Sequence, residues 1–112
     1  MKLITAIVQP TILQNVQVAL AQHGINGMTV SEASGFARQR GHTEVYRGTE
    51  YTIDFISKAR IEVLATDEQT AGIVQVICEA ARTGSVGDGK VWVTSVEEVV
   101  RIRTSETGDD AI

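Results

Sequence analysis

The sequence predicts an α+β domain on a four-stranded antiparallel sheet, and three observations lead there. An apolar, β-branched run opens the chain, from Leu3 to Val8. A strand–helix–strand pattern then occurs twice, first over 3–34 and again over 56–94. Between the copies, roughly residues 37–55 carry no sustained apolar period. The order βαββαβ is that of a ferredoxin-like split unit, with both helices on one face and the long loop after the second strand.

Each element has its own signal. Residues 3–8 read as a buried strand that Pro10 ends. From Thr11 to His23, Ile12, Leu13, Val16, Ala19 and Leu20 fall at helical spacing, with Gly24 where a C-terminal cap belongs. Met28 to Ser34 alternates as a second strand, and the loop follows. Ile56 to Ala65 is a strand with Ala59, Ile61 and Val63 on one face and Lys58, Arg60 and Glu62 on the other. Thr66-Asp67-Glu68-Gln69 has the spacing of a capping box, and the helix it opens aligns Ile73, Val74, Ile77, Cys78 and Ala81. A glycine-rich turn, Thr83 to Gly89, leads to a strand from Lys90 to Thr94. Val99 to Arg103 reads as a last extended piece, and residues 104–112 as a flexible acidic tail. Strands 3–8 and 90–94 are apolar on both parities. Helices cover one face only, so the other is expected to pack on another subunit.

Composition narrows the class. The 112 residues fit one domain, and 43% hydrophobic with 21% charged residues is globular composition. A formal charge of -4 argues against direct nucleic-acid binding, which needs a basic surface. A single cysteine forms no internal disulfide, and with two histidines it makes a poor zinc set. The apolar start is too short for a membrane span or a signal peptide, so a cytoplasmic protein is expected. No Ser/His/Asp arrangement or defensible carboxylate pair appears, so an enzyme is not expected.

One cluster of residues does suggest chemistry. Gly84 to Lys90 has two glycines five apart and then a lysine, most of a phosphate-loop spacing. Val91 offers no hydroxyl for Mg²⁺, and the loop runs from helix into strand, the reverse of a P-loop. Glycine-rich backbone can still form an anion nest, and a plain turn needing positive φ is the competing reading. Arg101 and Arg103, two apart in an extended segment, would point the same way. With Lys58 and Lys90 they make a cationic excess on an acidic chain, which points to a small anionic ligand.

Gly41 to Tyr51, Ala81 to Lys90 and Val100 to Thr104 together resemble the PII signal-transduction family, over nearly the whole chain. The resemblance implies a homotrimer that binds ATP or ADP, with Mg²⁺, in clefts between subunits. It places Thr29, Glu62 and Leu64 by the adenine, and Gly87, Gly89, Lys90, Arg101 and Arg103 at the phosphates. Arg38, Thr83 and Asp88 complete the nucleotide set. It gives Gln39, Gly41 and Lys58 to 2-oxoglutarate, with Gln39 also completing Mg²⁺ coordination. It implies that the loop regulates an ammonium transporter or other nitrogen-metabolism protein, meeting the membrane only through that transporter, and that a nucleotidylyltransferase modifies Tyr51. Three positions depart from the family pattern: Gln9 stands for lysine, Thr11 for phenylalanine and Ala37 for glycine. Two of these lie around the 2-oxoglutarate pocket. A divergent adenylate sensor with another co-ligand and target, or a small phosphate-handling enzyme, are the alternatives.

Overall fold

The computed structural model describes residues 1–35, 44–46, 49–51 and 55–112. Its strands are β1 (Lys2–Val8), β2 (Thr29–Gly35), β3 (Glu44–Tyr46), β4 (Thr49–Tyr51), β5 (Ile56–Ala65) and β6 (Gly89–Ser95). The helices are α1 (Leu13–Gln22) and α2 (Asp67–Ala81), with a short 3₁₀ turn at Pro10–Ile12 leading into α1. The main sheet runs β2-β5-β1-β6, and all its neighbours are antiparallel. This is the ferredoxin-like arrangement the repeated pattern predicts.

One face of the sheet makes the core. Ile4, Ala6 and Val8 of β1 and Ala59, Ile61, Val63 and Ala65 of β5 are buried against Val16 and Leu20 of α1 and Ile73, Ile77 and Ala81 of α2. The period-2 and period-3.6 patterns therefore meet in one apolar layer. Thr66 caps α2 as expected: its hydroxyl accepts from the Gln69 amide, and the Gln69 side chain accepts from the Thr66 amide.

The other face carries Leu3, Thr5 and Ile7 of β1 with their cross-strand partners. Leu3 lies opposite Leu64 and Thr94, Thr5 opposite Glu62 and Trp92, and Ile7 opposite Arg60 and Lys90. Ala111 and Ile112 border it at the Glu62–Leu64 corner, and Leu64 and Trp92 stay about two-fifths exposed, at 38% and 41%.

Two expectations change. Val99 to Arg103 is not one extended piece. Val100 makes one isolated bridge to Thr107, and the chain reverses between them. The Ser105 amide donates to the Arg101 carbonyl, the Arg101 amide to the Glu106 carbonyl and the Gly108 amide to the Val99 carbonyl. The segment turns back on itself, and Ile102 is exposed in the turn. Beyond the reversal, Gly108–Ala111 forms a 3₁₀ turn. The region read as one long loop also holds the β3–β4 ladder, Glu44 opposite Tyr51 and Tyr46 opposite Thr49. These runs of β-prone residues are too short to register as a period. The rest of the loop expected over 37–55, apart from Phe55, lies outside the described residues.

Candidate functional site

The glycine turn between α2 and β6 is organised by one carboxylate. Asp88 accepts hydrogen bonds from the Thr83 amide at 2.8 Å, the Gly84 amide at 2.9 Å and the Gln9 side-chain amide at 3.0 Å. The Thr83 hydroxyl donates to it as well, while accepting from the Ser85 amide. These donors, above all the Thr83 hydroxyl, hold the Asp88 carboxyl below its ordinary pKa. The carboxylate is thus turned inward, onto its own loop.

Gly89 explains why the turn is rich in glycine. Its φ is +103°, and an added Cβ would collide with the Ile7 carbonyl oxygen where β6 joins β1. The close approach keeps Lys90 in register opposite Ile7, on the uncovered face and exposed to solvent.

Lys58 enters the same corner from β5. Its side chain is buried, 9% exposed, and its ammonium donates to the Gly87 carbonyl at 2.6 Å. Gln9, Pro10, Thr11, Ser57, Lys58 and Ser85 lie around a hollow of about 300 Å³ beside this contact. The structure therefore brings together Lys58, Thr83, Gly87, Asp88, Gly89 and Lys90.

A second group gathers toward the other end of the sheet. Thr29 lies opposite Glu62, and both line a cavity of about 510 Å³ with Leu64, Met28 and Gln69. Ala111 and Ile112 close one side of it. Glu62 also receives an ion pair from Arg60 at 3.3 Å. Glu62 and Lys58 are four residues apart on one strand, about 13 Å at the usual rise. The two groups are therefore separate within the chain.

The two arginines do not stand as parallel forks, because the segment is a reversal. Arg101 pairs with Glu106 at 3.0 Å, and its other terminal nitrogen donates to the Ile112 backbone oxygen at 3.4 Å. Arg103 is exposed in the turn. Arg38, Gln39 and Gly41 lie outside the described residues. Tyr51 lies in β4, whose side chains are outside the description.

Two residues gained a place that sequence reasoning did not give them. In sequence Gln9 stands out only as a departure from the family pattern; in space it braces Asp88. Glu106 has one local signal, an arginine five residues before it across a Ser/Thr-rich stretch.

The sheet, the helices on one face and the braced glycine turn define a small ferredoxin-like α+β protein. The family model described as "Nitrogen regulatory protein P-II" matches residues 1–106. Proteins of that name are similar over the full length of both chains: 54% identical in Rhizobium meliloti (strain 1021), 55% in Azospirillum brasilense and 52% in Pasteurella multocida (strain Pm70). The chain belongs to the P-II nitrogen regulatory family, whose members are signal-transducing regulators and not enzymes.

Proposed function

We propose that this regulator senses ATP and ADP at a site completed between copies of the chain, and passes the ligand state to target proteins through its long loop. The observation that carries this is the braced turn, which presents Gly87, Gly89 and Lys90 beside the buried Lys58 ammonium. Exposed backbone and a lysine on a rigid turn suit a polyphosphate. Thr29, Glu62 and Leu64 supply a separate cavity suited to an uncharged heterocycle. In a homotrimer packed through the uncovered sheet face, one copy's turn would meet a neighbour's cavity. Arg101 and Arg103 would then reach the phosphates, with Arg38, Thr83 and Asp88 completing the site.

Mg²⁺ would arrive with the phosphates of ATP, with Gln39 as the protein ligand. Nucleotide sensing is better supported than 2-oxoglutarate sensing. Gln9 removes a cation from the pocket assigned to 2-oxoglutarate with Gln39, Gly41 and Lys58, and the Lys58 ammonium already has a backbone partner. Targets are an ammonium transporter or another nitrogen-metabolism protein, and a nucleotidylyltransferase acts on Tyr51. The protein works in the cytoplasm and meets the membrane only through the transporter; no helix of the described residues is long and apolar enough to cross one.

Calorimetry with ATP, ADP and AMP, each with and without Mg²⁺ and 2-oxoglutarate, tests the reading. Saturable binding of ATP and ADP is expected, with AMP weaker. No heat with any adenylate would overturn it.

A further inference from the structure

The reversal that replaces the expected last extended piece is built around a single carboxylate. Glu106 Oε1 accepts from Arg101 Nη1 at 3.0 Å and from the Thr104 hydroxyl at 2.7 Å. The Thr104 hydroxyl in turn accepts from the Glu106 amide at 3.4 Å, so side chain and backbone close on each other. Backbone bonds between Arg101 and Glu106, and between Ser105 and Arg101, hold the two charged residues on adjacent limbs. Ser105 takes the left-handed conformation to allow this, with φ +61°. Arg101 Nη2 is directed at the Ile112 backbone oxygen.

An arginine binds an oxyanion best by presenting two parallel N–H groups. In Arg101 both terminal nitrogens already have acceptors within the chain. We propose that Glu106 is a built-in competitor for Arg101: its carboxylate offsets the guanidinium charge and takes one of its five N–H donors, so an anionic ligand contends with it for Arg101 and Glu106 sets how strongly the site favours polyphosphates. This rests on the reading that Arg101 faces the phosphates of an adenylate. Each further phosphate on the ligand has more to gain from the freed guanidinium, and also meets more repulsion from a carboxylate left nearby. Glu106 thereby acts on affinity and on discrimination by phosphate number together.

The test is E106Q, which keeps the size and hydrogen-bonding capacity of the side chain and removes its charge. Adenosine, AMP and ATP are titrated against wild type and variant by calorimetry, with inorganic tripolyphosphate as a base-free probe. Thermal melting of both proteins accompanies the titrations. The expected result is an ATP and tripolyphosphate affinity raised by about threefold to fivefold, the range for releasing a partly exposed ion pair. AMP should gain less and adenosine nothing. If wild type binds ATP and E106Q binds it equally or more weakly, Glu106 is no competitor and the proposal is overturned while the adenylate reading stands. An equal change for adenosine and ATP would also overturn it, since that marks a general loosening of the turn. If neither protein binds any adenylate or tripolyphosphate, the adenylate reading itself fails and the proposal goes with it. T104V guards against a misfolded variant: it leaves both charges in place, so it should melt like E106Q without the phosphate-graded gain, and a matching gain would overturn the proposal.

Discussion

The Lys58 ammonium donates a 2.6 Å hydrogen bond to the Gly87 carbonyl, joining the buried start of β5 to the glycine turn. Two segments 29 residues apart in sequence are pinned by one bond. K58M keeps an unbranched apolar stem in the buried channel and deletes the charge. Its stability should change by less than about 1 kcal/mol, because the lost bond is offset by the desolvation no longer required. Amides of residues 84–89 should exchange hydrogen faster than in wild type, as read by exchange mass spectrometry. Unchanged exchange there would show that the turn stands without Lys58.

Asp88 makes the turn sensitive to acid. Its folded pKa lies below the ordinary carboxylate value of 3.8, chiefly through the Thr83 hydroxyl and amide, so its contribution is fully present above that value. It is lost as pH falls through the lowered folded value. NMR shifts of the Thr83 and Gly84 amides should hold steady down to about pH 4 and move only below it. D88N should abolish that acid transition. A transition centred above pH 5 would contradict the assignment.

Gly84 and Gly89 both have positive φ, +87° and +103°, but only Gly89 faces backbone at close range. G84A should cost about 1–2 kcal/mol, the left-handed penalty alone. G89A adds a collision with the Ile7 carbonyl and should cost at least about 3 kcal/mol, or prevent folding. Urea denaturation separates them, and equal costs would mean β6 shifts to accommodate the methyl group.

Those two glycines show what was legible in the sequence. The glycine-rich turn was visible as a motif, while the collision that demands Gly89 depends on the β1–β6 register. The same holds more widely. β5 and α2 announced themselves through local rules, an alternating face and a capping box, and both occupy the expected residues. Val99 to Arg103 reads as extended from its residues alone, but its course is set by bonds between Arg101 and Glu106 and between Ser105 and Arg101 that close a reversal. In the site, Lys58, Asp88 and Lys90 came from the sequence and its family resemblance. Gln9 could be tied to Asp88 only once β1 and the turn were in space, because 79 residues separate them.

Restoring a lysine at position 9 tests the co-ligand. Q9K returns a cation to the hollow beside Lys58, and a charged hydrogen bond there is worth about 1.5–3 kcal/mol. Affinity for 2-oxoglutarate in the presence of MgATP should rise at least about tenfold over wild type by calorimetry. No gain would show that another departure, such as Ala37, limits the pocket.

The uncovered sheet face should govern assembly. W92D places a charge among Leu3, Thr5 and Ile7, where burial would leave it unpaired. Light scattering at micromolar concentration should give a trimer for wild type and monomers for the variant. A monomeric wild type would sink the shared-site reading.

The separation of Lys58 from Glu62 along β5 gives the uncovered face a polarity. Cations gather at the glycine-turn end, with Lys58 and Lys90, and the cavity end presents the Glu62 carboxylate. The capping box gives the Gln69 amide of α2 to the Thr66 hydroxyl, and Asp67 and Glu68 stand in the first turn, so that helix offers the cavity little net positive potential of its own. In a site shared between copies, where one copy's turn meets a neighbour's cavity, a ligand with an anionic head and a neutral ring would therefore have one favourable orientation. Its head would lie at the lysines and its ring at the cavity where Arg60 already pairs with Glu62. The face works as a compass needle. Reversing it would take more than a cation at 62, since Lys58 and Lys90 both hold the turn end positive.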